Sequence, residues 1–242
     1  MNDAPRSPSK PLLRMFDKVP RRYDMINRLF TLGLDQRWRR LAAWACLEGK
    51  PSRVLDLGCG TGDLAIQLAR RAPAGTEIIG ADFSKPMLEV ARAKAVRADL
   101  ADRLGFVWAD AGRLPWPDGH FDAIGISFAF RNLTFRNSGR DAYLAEMRRV
   151  LASGGRLVIV ESSQPRAPVM RALVHWYQRA IVERLGGSLS GEKAAYRYLA
   201  ESATRFYTDQ EVGELLESAG FARVAHTPLL AGAAALHLAH RD

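Results

Sequence analysis

Residues 54–63 read "VLDLGCGTGD". Three apolar residues and an acid lead into three glycines within five positions, and a second acid closes the stretch. The first half, with Arg53 before it, has the composition of a short buried strand. Gly58, Gly60 and Gly62 then let the chain turn tightly and let a ligand reach the main chain. An apolar helical pattern starts at Gly62 and runs to Arg71. The unit is therefore a strand, a glycine turn and a helix N-terminus.

The same rhythm continues downstream. "EIIGAD" predicts a second strand and "KPMLEVARAKAV" its helix. "GFVWAD" and "FDAIGISFAF" predict two more strands. "DAYLAEMRRVL" predicts a helix closed by "ASGG", a C-cap signal, and "RLVIVES" a fifth strand. A helical insert is expected over 166–204. The helix in "TDQEVGELLESAGF" should start on Thr208 or Asp209 and stop before Gly220. "ARVAHT" and "AALHLAHR" close the series, and the short link between them requires an antiparallel pair. Alternating strands and helices predict an α/β fold, a seven-stranded and mostly parallel sheet with helices on both faces. Upstream, residues 11–47 read as short helices with an interruption at Pro20, and residues 1–10 as frayed. No internal repeat or linker divides the chain, so 1–242 reads as one domain, with 1–50 as an N-terminal helical cap.

Composition narrows the classes. Of 242 residues, 48% are hydrophobic, which suits a globular core rather than a disordered chain. The two cysteines, Cys46 and Cys59, provide neither a disulfide framework nor a metal-ligand cluster; a reducing cytoplasm is the expected compartment. The N-terminus has no apolar signal core, and no run of about 18 apolar residues offers a membrane span. Net charge is +9, of which residues 1–50 hold +6. Such a bias suits nucleic acid, an anionic membrane or an acidic substrate, or is a solvated surface.

The glycine turn must next be matched to a ligand. A pyrophosphate is the first candidate, because glycine loops before helices often cradle one. The spacing is G-x-G-x-G, however, with no P-loop lysine after it. Asp56 at the strand end and Asp63 beside the loop would repel phosphate. Acids around a bare loop favour a cation or an ammonium. Asp82 ends the second strand, twenty residues after Gly62, where a carboxylate holds a ribose diol. Asp110 follows the third strand and would accept from an adenine amino group, with Ala111 beside the ring. A cationic nucleoside without phosphate satisfies these positions, and S-adenosylmethionine is one.

At these residues the chain resembles a known family. "YDMIN", "VLDLGCGTGDL", "ISFAFRNLT", "LASGGRLVIVE", "YRYLAES" and "GAAALH" resemble the class I methyltransferases that C-methylate the quinone ring in ubiquinone and menaquinone biosynthesis. The resemblance covers about residues 14–239. It implies a Rossmann-like fold, S-adenosylmethionine as cofactor, and cofactor contacts on Thr61, Asp82, Asp110, Ala111 and Ser127. It points also to Arg131 and Asn132. The family often has Asn where Asp110 stands. The segment after Asn132 is about four residues longer than usual.

C-methylation of a hydroquinone needs a carbon nucleophile, made by deprotonating a neighbouring ring hydroxyl. Arg131, just past the fourth strand, would stabilise the phenolate or orient a proton-accepting water; it stays charged and is a poor base itself. The alternative is a loop arginine that caps carbonyls. His175 and His237 are alternative bases, and Cys59 reads as a small turn residue. In the insert, Met170, Leu173, Val174, Tyr177 and Ile181 share one predicted face, and Arg171, His175, Gln178 and Arg179 the other. That helix would pack on the core, cover a prenyl tail or lie on a membrane. The expected substrate is a prenylated quinol, collected from an anionic membrane by Arg14, Lys18, Arg21, Arg22, Arg28, Arg37, Arg39 and Arg40, with Phe16, Tyr23, Phe30 and Trp38 among them. Some of these cations are alternatively paired with Asp17, Asp24 or Asp35. Nucleic-acid methylation is disfavoured: the position after the fourth strand reads "SFAFRN", without a Pro-Pro motif or a nucleophilic cysteine. Another small-molecule substrate, a cofactor-binding protein without turnover, and a homodimer remain open.

Overall fold

The computed structural model describes residues 20–183 and 193–242. A seven-stranded sheet runs through it in the order β3-β2-β1-β4-β5-β7-β6. The strands are β1 (Arg53–Leu57), β2 (Glu77–Asp82), β3 (Gly105–Trp108), β4 (Phe121–Ser127), β5 (Leu151–Ser162), β6 (Ala222–Leu229) and β7 (Ala234–His240). Pairings from β3 across to β5 are parallel, whereas β7 runs antiparallel to both β5 and β6. The predicted class and the antiparallel closing pair are both present.

Helices α1 (Pro20–Phe30) and α2 (Leu34–Leu47) precede the sheet. Helices α3 (Asp63–Ala69), α4 (Lys85–Arg97), α5 (Phe130–Thr134) and α6 (Arg140–Val150) lie between the strands up to β5. Then come α7 (Pro168–Tyr177), a π-helical turn (Gln178–Glu183), α8 (Lys193–Arg205) and α9 (Asp209–Ser218). Helix α1 is described from Pro20 onward, and the expectations for 1–19 lie outside the described residues. Thr208 is the N-cap of α9 and forms a capping box with Glu211.

Strand alternation builds two cores. Leu55, Ile79, Ile124 and Leu157 point to one face of the sheet, with Tyr143, Met147 and Phe121. Val54, Ile78, Ala123 and Val158 point to the other, against Trp38, Ala42, Leu64 and Leu68. This period of two is the physical content of "buried on both faces". Each fully buried aliphatic side chain contributes about 1.5–3 kcal/mol of transfer free energy.

Three expectations need correction. "ASGG" is not a helix C-cap: Leu151 pairs with Phe121, so strand pairing claims the chain at once, and the four residues lie inside β5. The strand "FDAIGISFAF" stops at Ser127, because Phe128 turns into the left-handed region at φ 57° and Phe130 opens α5. On α7 the predicted faces are partly exchanged. Leu173 is exposed beside Trp176, whereas His175 turns inward to Gln164, with Nε2 2.6 Å from Oε1.

A cofactor-sized cleft at the carboxyl edge of the sheet

The chain leaves β1 toward one side of the sheet and β4 toward the other. Where the strand order reverses, the loops part and a crevice opens at the carboxyl ends. Here that crevice is a cleft of about 1080 Å³, counted to its open mouth. Its walls come from the turns after β1, β2, β3 and β4.

The first wall is the glycine turn. Gly58, Gly60 and Gly62 have φ of 68°, 52° and 80°, values that L side chains avoid. A Cβ on Gly58 would lie 2.6 Å from Ala129 Cβ. The turn after β1 thus touches the turn after β4, and only glycine fits between them. Asp82, at the end of β2, fastens this turn: it accepts from Gly60 N–H at 2.8 Å and from Ser84 N–H at 2.8 Å. Its carboxylate stands in the cleft wall with Phe83, Ser84 and Met87.

Asp56 is fully buried under the turn. Its Oδ2 accepts from Ala65 N–H at 2.8 Å, while Oδ1 has no partner among the described residues. Burial pushes its pKa up to about 7, against the pull of the Ala65 bond and of Arg39. Asp63 was expected to repel an anion. Its charge is instead compensated: Lys94 and Arg28 pair with it, and Gln36 donates to it. Burial works against its ionisation, but Lys94 and Arg39 hold its pKa below the ordinary carboxylate value.

A latch joins the N-terminal helix to this wall. Thr61 Oγ1 donates to Asp24 on α1 at 2.6 Å, and Lys94 on α4 donates to Asp24 at 2.7 Å and to Thr61 at 3.2 Å. Asp24 itself faces the cleft. Nothing in local periodicity reveals this role; its only signal was the "YDMIN" resemblance. Arg39 on α2, one of the cations expected at a membrane or alternatively paired with an acid, is buried. It pairs with Asp35 and stands 5.1 Å over the Phe128 ring, a second unforeseen part of the cleft. Trp38, also expected at the surface, is buried beside Phe128.

The opposite wall carries Asp110, Ala111, Ser127 and Asn132. Asp110 Oδ1 accepts from Gly112 N–H at 2.8 Å, which holds the loop after β3 in place. Ser127 Oγ and Asn132 Oδ1 are buried and have no hydrogen-bond partner among the described residues. Together with Asp56 Oδ1, three orphaned polar atoms belong to residues that line one cleft. Leaving such a group unmade costs about 1–3 kcal/mol each, so a polar ligand is the physical expectation.

Arg131 is placed differently. It lies behind the wall rather than in it. Its Nη1 donates to Ser162 Oγ at 2.6 Å and stands 3.7 Å from Glu161 Oε1, and its backbone N–H donates to Glu161 Oε2 at 3.1 Å. Glu161 is 1% exposed. The sequence reading missed this acid, which sits unmarked at the end of an apolar strand. Neither alternative base reaches the cleft wall. Burial lowers the pKa of His175, and burial followed by His226 lowers that of His237 to about 4. Cys59 lies in the turn with its thiol pKa raised by burial, as suits a turn residue rather than a nucleophile.

The residues fit a nucleoside with a cationic arm. A carboxylate at the β2 end, an acceptor after β3, a glycine turn without a lysine, and a buried acid beneath it make a site for polar and positive groups. Apolar Leu57, Phe83, Met87 and Leu133 supply the remaining walls.

The chain belongs to the ubiE/COQ5 methyltransferase family, whose model matches residues 6–241. It is 44% identical over 227 residues to the demethylmenaquinone methyltransferase of Thermus thermophilus, covering 94% of this chain and 100% of that one. It is 36% identical over 227 residues to the ubiquinone/menaquinone biosynthesis C-methyltransferase UbiE of Geotalea uraniireducens, covering 94% of each. Among solved structures, a SAM dependent methyltransferase from Aquifex aeolicus matches with a TM-score of 0.55 at 20% identity, over 79% of this chain and 82% of that one. That last likeness shows the fold alone, a Rossmann-like methyltransferase sheet.

Proposed function

We propose that this methyltransferase moves the methyl group of S-adenosylmethionine to a ring carbon of a prenylated quinol, demethylmenaquinol or 2-polyprenyl-6-methoxy-1,4-benzoquinol, in menaquinone or ubiquinone biosynthesis. One observation carries the reading: three residues with a buried polar atom unpartnered among the described residues, and Asp82, line a single cleft at the switch point of the sheet. Family membership and the names of the relatives support the ring-carbon chemistry.

In this reading Asp82 takes the ribose diol, and Asp110 with Ala111 takes the base. Asp56, Gly58, Gly60, Thr61 and Ser127 surround the amino-acid arm. When bound, S-adenosylmethionine supplies an electrophilic methyl group. The chain positions the ring beside it and steadies the phenolate. Asn132 presents its side chain to the cleft. Arg131, fixed by Glu161 and Ser162, contributes charge from behind Asn132. Residues 1–50 and 166–204 serve this one domain as cap and insert. The enzyme works in the cytoplasm, at the inner face of the membrane where its substrate resides; among the described residues no helix is long and apolar enough to cross a membrane.

The test is a panel of demethylated quinols with methyl-labelled S-adenosylmethionine. Label should enter an organic-extractable product with at least one quinol. A panel that stays unlabelled, with cofactor binding intact, would overturn the substrate class.

A further inference from the structure

Helix α7 has no buried residue, yet its composition is apolar. Val169, Leu173 and Trp176 recur at helical spacing along one side and are 83%, 54% and 59% exposed. A helix that only packed on the core would turn this stripe inward. A second stripe of the same spacing lies on α1 and the turn after it: Met25, Leu29 and Leu32 are 60%, 53% and 82% exposed. The two helices are tied together, since Tyr177 Oη donates to Phe30 O at 2.8 Å. Trp176 and Leu29 are the sequence neighbours of that bond, so the ends of the two helices that carry the stripes lie close together. Side chains this large, exposed together, mark a docking face.

Charge decides which partner it suits. From Ser163 to Val182 there is no Asp or Glu, and Arg166, Arg171 and Arg179 are all exposed. Arg166 pairs with Asp209 at 3.2 Å but keeps 70% of its side chain exposed. On α1, Asp24 turns away to Thr61 and Lys94. An apolar stripe flanked by arginines, with tryptophan at its end, is the pattern of an interfacial helix. A second copy of the chain would bring the same arginines into opposition. An anionic lipid surface would neutralise them.

We propose that the paired stripes Met25–Leu29–Leu32 and Val169–Leu173–Trp176 dock the enzyme on an anionic bilayer. This rests on the prenylated-quinol reading for the reason to dock, and it replaces buried Arg39 and Trp38 as membrane contacts. Because α1 also carries Asp24, docking places the membrane beside the element that latches the cofactor cleft.

The experiment compares the full chain with the variant V169S/L173S/W176S in flotation with phosphatidylcholine vesicles, with and without phosphatidylglycerol. Wild type should float with the anionic vesicles, less so in high salt, and the variant's partition should fall at least about tenfold. Both should methylate a tail-less quinol in solution equally, because none of these side chains lines the cleft. Equal flotation of variant and wild type, or no flotation of either, overturns the proposal. So does a wild-type dimer in sedimentation that the variant dissociates, which would make the face a self-interface. Failure of wild type to label any quinol of the panel, prenylated or tail-less, would instead overturn the substrate reading, and leaves flotation to judge the docking face separately.

Discussion

Asp56 is a buried acid near the end of a strand and, among the described residues, lacks a partner on one oxygen. Its raised pKa means that the folded state holds the proton more tightly than the unfolded chain does. That contribution favours folding below its ordinary pKa of 3.8 and is lost as pH rises through about 7. The difference amounts to roughly 4 kcal/mol at about 1.36 kcal/mol per pKa unit. Denaturant unfolding of the ligand-free chain should therefore show Asp56→Asn gaining stability relative to wild type between pH 4 and 7. Parallel curves across that window would show that Asp56 titrates normally. Asp82 differs, because it already holds the glycine turn through two backbone bonds. Asp82→Asn keeps the size, removes the charge and leaves one acceptor oxygen where the carboxylate had two. Charge-assisted bonds are about twice as strong as neutral ones, so the S-adenosylmethionine Kd should rise at least about tenfold by calorimetry. An unchanged Kd would remove Asp82 from the ribose site.

The elements around the cleft are held by a few long-range contacts. Arg131 and Glu161 tie the turn after β4 to the end of β5, and both are buried. Removing Arg131 alone would strand an unpaired buried acid at a cost of about 3–5 kcal/mol, which confuses folding with catalysis. The double variant R131M/E161Q removes both charges together. It should fold and bind cofactor, yet turn over about a hundredfold more slowly if Arg131 supports the phenolate. Normal turnover would leave the pair a scaffold. Asp24 makes the corresponding tie between α1 and the glycine turn. Asp24→Ala should raise amide exchange across residues 20–30 while β1 stays protected, and slow exchange in α1 would show that the latch carries little.

At the scale of the whole molecule, the sheet was legible because its signals are local. Period-two strands, the glycine turn and the Thr208 cap each announce themselves within a few residues, and the carboxyl-edge rule then collects Asp56, Asp82, Asp110 and Ser127 in one place. What escaped depends on partners distant in sequence. Asp24 meets Thr61 across 37 residues and Arg131 meets Ser162 across 31. Leu151 becomes strand only because Phe121 is there to pair with it. The exposed side of α7 misled because amphipathic periodicity shows that a helix has two faces without telling which one meets water. Among the N-terminal cations, Arg39 takes the alternative open to it in the sequence, a pair with Asp35 four residues away, and so leaves the surface.

The central claim is carbon methylation of a quinol ring in this cleft, and the position of the new bond tests it most directly. Reduced demethylmenaquinone, methyl-labelled S-adenosylmethionine and the purified chain should yield one labelled product. Carbon NMR of that product should place the label on a ring carbon, as an aryl methyl. Label on a ring oxygen, as a methyl ether, would contradict the account.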